Sequence, residues 1–284
     1  MTKKSRRQDG FTLIEMVVAM VISLILVAGI FQFFTVQSRN FLEGRANAEM
    51  QQELRWSMDY LSDHLRQIGN GVPPTCGWPV VENTDGAGGA PDSISVLGSY
   101  RNLVVTTTQP MGNEGLPVKV SDTSEIEVGD LIVISDGTWQ ELFYVTAKNN
   151  EVLFHTAHLP WNTSKFLEHK YIKDSTVTVV THASFFVDVD EEGRSNLMIQ
   201  TQSYAPQVLL GDVDDFQIRF KMKDGSWFDE IYPDEIYDIR MIEIMLRARS
   251  TKPIKGYIDP VYGDGYKRIE LKRVVIPKNI TVVS

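Results

Sequence analysis

The chain has 284 residues, of which 43% are hydrophobic and 23% charged, enough to build one large domain or two modest ones around a substantial core. That balance excludes a wholly disordered chain, a collagen and a polytopic transporter. With 28 Lys and Arg against 37 Asp and Glu the formal charge is −9, so no nucleic-acid partner is expected.

The first ten residues, MTKKSRRQDG, carry Lys3, Lys4, Arg6 and Arg7 against Asp9. From Phe11 to Phe34 the chain turns apolar, with Thr12, Glu15, Ser23 and Gln32 as its clearly polar members. As a helix this run would extend about 36 Å, enough for a bilayer core of about 30 Å. The basic leader predicts a cytoplasmic start and a remainder on the far side of the membrane. A removable secretory signal would have a shorter apolar run ending at a small-x-small site, and no convincing one follows. The residues after Ser5-Arg6-Arg7 do not suit a twin-arginine signal either. A plain anchor accounts for the length but not for Glu15, because a carboxylate in an apolar span is costly.

Gly10-Phe11-Thr12-Leu13-Ile14-Glu15 resembles the type III signal of type IV pilins and pseudopilins. The resemblance implies cleavage after Gly10 and N-methylation of Phe11 by a prepilin peptidase/methyltransferase, the membrane-embedded aspartyl peptidase of that family. It makes Glu15 the fifth mature residue, the family's hallmark glutamate. The freed amine and the Glu15 carboxylate are each costly in apolar surroundings. Glu15 of one subunit is therefore expected to pair with the amine of its neighbour and set the register of assembly. Removing residues 1–10 leaves 24 Lys and Arg against 36 Asp and Glu.

Helical pattern continues over residues 35–68, where there is no proline and Gly44 is the single glycine. Leu54, Met58, Leu61, Leu65 and Ile68 draw one apolar stripe, with Arg55, Asp59, Asp63 and Arg66 off it. Gly69-Asn70-Gly71 and then Pro73-Pro74 predict the stop. The expectation is one helix from Phe11 to Ile68, about 87 Å long. Its residues 11–34 would span the membrane or lie in a filament core, and residues 35–68 would pack their stripe on a sheet, the lollipop shape of pilins.

Residues 69–92, rich in Gly, Pro, Asn and Asp, read as a loop. Strands are expected over 93–97, 102–107, 131–135, 141–146, 151–156, 176–189, 197–203, 216–223, 238–249 and 266–276. Asp136-Gly137-Thr138 signals a hairpin, Asn149-Asn150 suggests a meander, and Asp190-Glu191-Glu192-Gly193 and Asp224-Gly225 mark turns. The fold class is α+β: one long N-terminal helix packed on an antiparallel β-rich head, 93–284, with an inserted β-module over 93–160.

The head extends the resemblance. Val128-Gly129-Asp130-Leu131-Ile132-Val133-Ile134, the run from Val213 to Phe220 with the run from Ile239 to Arg249, and the end from Arg268 to Ile280 are similar to PilW-type minor pilins. Where that family usually closes on Arg-Asn, this chain has Lys278-Asn279. The resemblance implies a minor pilin in a priming or tip complex, with other minor pilins, the major pilin and the inner-membrane assembly platform as partners. It implies an inner-membrane precursor with a periplasmic head, then a place in a surface pilus. A J-type pseudopilin of a type II secretion system is the first alternative, and a pilus-tip adhesin for a surface or glycan the second.

Catalytic motifs are absent, no enzyme is expected, and no cofactor is implied. His155, His158 and His169 fall on a strand end and a loop, a poor zinc set. Asp188-Val189-Asp190-Glu191-Glu192-Gly193 begins like a calcium loop, but Ile199 stands where the bidentate acid belongs. Asp212, Asp214 and Asp215 cluster as weak metal candidates. Cys76, the single cysteine, allows no intrachain disulfide and reads as a free thiol or a link to another chain. Residues 224–238 hold six acids and no Lys or Arg, whereas residues 240–284 hold ten basic residues against four acids. That contrast reads as pairing within one sheet, or as a docking surface in which Lys267 and Arg268 take part.

Overall fold

The computed structural model describes residues 12–280, the side chain of residue 39 excepted. The leader, Gly10 and Phe11 lie outside the described residues. The chain divides into two compact units, residues 1–49 and 50–284. One helix, α1 (Leu13–Arg66), crosses that division, and its two stretches are taken in turn. It contains no proline, and Gly29 and Gly44 are its glycines, so the i to i−4 ladder runs uninterrupted. In the first unit every side chain from Leu13 to Gln37 is exposed, including the whole apolar run through Phe34.

In the second unit the helix is amphipathic. Leu54, Met58, Leu61, Leu65 and Ile68 are each at most 1% exposed, while Arg55, Asp59, Asp63 and Arg66 face water. Burial of each such side chain contributes about 1.5–3 kcal/mol gross, so packing rather than intrinsic propensity holds this stretch. α1 ends at Arg66, two residues before the expected Ile68, and residues 67–71 are turns. Gly69 takes φ +74°, a left-handed conformation that leaves the helix, and its N–H donates to the Leu97 carbonyl at 2.9 Å. The stop signal therefore borrows an acceptor from the sheet.

The strands follow in order: β1 (Val81–Thr84), β2 (Ser93–Gly98), β3 (Val104–Thr106), β4 (Val118–Lys119), β5 (Leu131–Ser135), β6 (Gln140–Tyr144), β7 (Ala147–Asn149), β8 (Val152–Phe154), β9 (Thr176–Val189), β10 (Ser195–Thr201), β11 (Tyr204–Leu210), β12 (Val213–Met222), β13 (Trp227–Phe228), β14 (Ile239–Arg249) and β15 (Arg268–Val275). Each pairing is antiparallel. The largest sheet runs β1-β2-β9-β10-β11, with β3 and β5 also on β9 and β6 on β5. A second runs β13-β12-β14-β15, and a third β4-β8-β7. The α+β architecture, one long N-terminal helix and antiparallel sheets, is what the sequence pattern implied.

Period-2 alternation places the main core. Phe216 opposes Leu246, Ile218 opposes Ile244 and Phe220 opposes Ile242, all with their side chains buried. Their core joins the helix stripe, β2 and the Ala183–Phe185 part of β9. A second core gathers Met111, Ile132, Phe143, Leu153, Tyr171 and Val179 with their neighbours. β9 serves both: residues 176–180 pair with β5, and residues 181–185 pair with β2.

Three expectations change. The 69–92 loop contains β1, which pairs with β2. The proposed meander is broken, because β8 pairs with β7 and β4 instead of β6. The inserted module, expected over 93–160, has its core over residues 111–179; β2 belongs to the main sheet and Val177 and Val179 to the module.

Candidate processing and assembly segment

Thr12 stands at the N-cap of α1 and Glu15 at the third helical position. The Glu15 carboxylate oxygen Oε2 accepts from the Thr12 backbone N–H at 2.9 Å and from its hydroxyl at 2.9 Å. The Thr12 Oγ1 accepts in return from the Glu15 N–H at 3.3 Å. This is a capping box, which satisfies N–H groups that the first turn of a helix leaves without partners. An acid there also complements the positive end of the helix dipole. The Thr-x-x-Glu spacing before an apolar run is the sequence signal for this cap.

The geometry aims Glu15 backward, at the amide that joins residue 12 to residue 11. A chain cut after Gly10 would carry its new amine one residue beyond that amide. The apolar side chains that follow are exposed, and one 18-residue window reaches a mean hydropathy of 2.7. By length and composition this stretch can cross a bilayer.

Residues 5–31 match the family described as the prokaryotic N-terminal methylation motif. The chain carries that motif. It implies processing by a peptidase and assembly with other pilins, and with the apolar helix it points to membrane anchoring. No curated protein matches the chain. Among solved structures, the type IV-like pilin TTHA1219 from Thermus thermophilus aligns over 81% of this chain and 98% of its own, at 12% identity and a TM-score of 0.41.

The remaining candidates sit in the head and are occupied by protein partners. Asp214 pairs with Arg268, and Asp215 lies 3.4 Å from Arg247. Asp212 takes a left-handed φ of +52° where β11 turns into β12, and its carbonyl accepts from Arg249 N–H. Two of the three weak metal candidates are thus neutralised by arginine. No group of three or more His, Cys, Asp or Glu able to hold a metal occurs among the described residues. Asp190 is likewise consumed, accepting from the Glu192 and Arg194 amides and pairing with Arg194 at 2.9 Å. His155 contacts the Leu116 carbonyl, His158 stacks on Tyr144 and His169 on Trp139, so the three histidines go separate ways. Cys76 is buried, and burial first, then the Glu141 charge, pushes its thiol up to about 12.

Several of the C-terminal arginines pair locally, with acids outside the 224–238 run. Arg268 is 9% exposed at its side chain. It pairs with Asp214, with Asp264 at 2.7 Å and with Asp259 at 3.5 Å, and stacks on the Tyr262 ring at 3.9 Å. Arg247 pairs with Glu270 at 2.7 Å, and Arg273 reaches back to Asp59 on α1. Arg268, with its side chain largely covered and paired to three acids, is engaged within the head rather than left free for the docking surface expected of Lys267 and Arg268. It fastens the 250–267 loop to β12 and β15 instead.

Proposed function

We propose that this chain is a minor type IV pilin of the PilW type. It is made as an inner-membrane precursor with its head in the periplasm, cleaved after Gly10, methylated on Phe11 and drawn into a pilus through α1. Its role is to prime or cap the filament with other minor pilins, the major pilin and the assembly platform, as a structural subunit and not as an enzyme. The observation that carries the reading is the methylation motif over residues 5–31, with the capped Glu15 at the head of an exposed apolar helix. Mass spectrometry of sheared pili should find this chain beginning at N-methylated Phe11. Recovery of the chain with residues 1–10 intact, in cells with a working prepilin peptidase, refutes the reading. Deletion should abolish pili and twitching; lost exoprotein secretion with pili intact would move the chain to the J-type pseudopilins.

A further inference from the structure

A cleft of about 380 Å³ opens between the Thr75–Trp78 turn, β6 and the segment from Trp161 to Glu168. The volume is that of a small-ligand site. Its aromatic lining includes Trp78, Trp161 and Phe166, with Phe143 and His155. The two indoles lie 4.9 Å apart, inclined at 39°, and Phe166 is exposed at the rim. Its charged lining is Glu141 and Glu168, with no Lys or Arg. Glu141 accepts the backbone N–H groups of Glu168 at 2.8 Å and His169 at 3.3 Å, which fixes its carboxylate at the cleft. Neither acid has an ion-pair partner among the described residues. The adjacent Lys165 lies over the Phe166 ring at 5.1 Å and pairs with neither.

We infer that this cleft binds an organic ammonium group, carried by a free small cation or by a lysine side chain. Indole faces attract cations through their quadrupole, most strongly when water is displaced. Two carboxylates without a counter-cation give the cleft a negative potential, which favours a cation and repels phosphate or acidic ligands. A neutral sugar could stack on the same rings but would gain nothing from that potential. Cys76 also lines the cleft; burial raises its thiol value, so it adds no negative charge near neutral pH. The inference does not depend on the filament role.

The test uses the full chain in micelles of a polyoxyethylene ether, since maltoside or phosphocholine detergents would supply competing ligands. Saturation-transfer NMR and calorimetry follow titration with choline, with Nα-acetyl-lysine methylamide and with N-acetylglucosamine. At least one ammonium probe should bind. The double variant Glu141→Gln, Glu168→Gln should weaken it about tenfold, as for the loss of one or two partly screened charge contacts. Gln at 141 keeps one acceptor, enough for the 2.8 Å bond from Glu168 N–H but not for the 3.3 Å bond from His169 N–H, so the single variant Glu168→Gln, which leaves both bonds in place, should also weaken binding, and Glu230→Gln, an exposed acid outside the cleft, should bind like wild type. Preference for choline identifies a small quaternary cation as the source, and preference for the lysine amide a protein side chain. No binding by either ammonium probe, binding unchanged in the double variant, or binding of N-acetylglucosamine alone each overturns the inference.

Discussion

Gly98→Ala tests how closely the end of α1 approaches the sheet. A Cβ built on Gly98 would stand 2.1 Å from the Gln67 carbonyl oxygen and 3.0 Å from its carbon. To restore ordinary contact, which begins at 3.4 Å, the two backbones must part by about 1.3 Å. Both sides are backbone, so no side-chain rotation relieves the clash. The same junction carries Gly69 N–H to Leu97 O at 2.9 Å and Ser99 N–H to Asn70 O at 2.8 Å, and a shift of that size breaks or weakens both. Each hydrogen bond is worth about 1 kcal/mol net, and overpacking adds about 1–3 kcal/mol. The expected loss is about 3–5 kcal/mol, or roughly 6–20 °C in Tm for a unit of this size. Thermal melts of the full chain in micelles, followed by circular dichroism, read the shift. Gly211→Ala is the matched control: its Cβ meets Asn196 Oδ1 at 3.6 Å, and the change should stay below about 1 kcal/mol. A Gly98→Ala chain melting within a degree or two of wild type would refute the close approach.

Arg268→Met should lower Tm by about 5 °C or more, because it strands Asp214 and Asp259 with little solvent around them. Hydrogen bonding from Arg268 holds the Asp264 carboxyl at about 2, below its ordinary 3.8. With a depressed folded-state value, that contribution is present above about pH 4 and is lost as pH falls toward 2, so the variant should show a flatter decline of Tm across this window. Cys76 in the native chain should react with iodoacetamide near pH 8 roughly a hundredfold or more slowly than in denaturant, by mass spectrometry; equal rates would place the thiol at the surface. Glu15→Gln should keep α1 capped and the precursor cleaved yet enter pili poorly, whereas Thr12→Ala should cost about 1 kcal/mol of helix stability and still enter. Equal incorporation of both, measured by immunoblot of sheared pili, would leave the Glu15 charge without a role in assembly.

What the sequence made legible was periodic. The alternation in Val213–Met222 and Ile239–Arg249, the stripe from Leu54 to Ile68 and the Gly-rich stops each encode their structure within a dozen residues. Elements set by distant partners did not show. β11 is exposed from Tyr204 to Val208 and contains Pro206, so it has no alternation to read; its place is fixed by pairing with β10. β1 hides in loop composition because β2 completes it. The module boundary moved because β5 pairs with β9, whose sequence is far downstream. The partners of the Asp cluster do not show because Arg268 lies 54 residues from Asp214 and Arg247 lies 32 from Asp215.

Glu15 was read from its cost: a carboxylate in an apolar run needs a reason. The structure supplies one that is purely local, and a local reason could have displaced the intermolecular one. The proposed pairing is compatible with it, because the cap uses a single carboxylate oxygen. Oε2 takes both Thr12 donors, and no described group donates to Oε1. A capping box also tolerates an amide at the acid's position, so capping alone does not require charge. The cap points the group toward Thr12 N–H; in the filament we propose, the charge would then remain for an amine presented from outside. In a low-dielectric helix bundle such a prepositioned carboxylate meets its partner with little further loss of side-chain freedom. On this view Thr12 positions and Glu15 pairs.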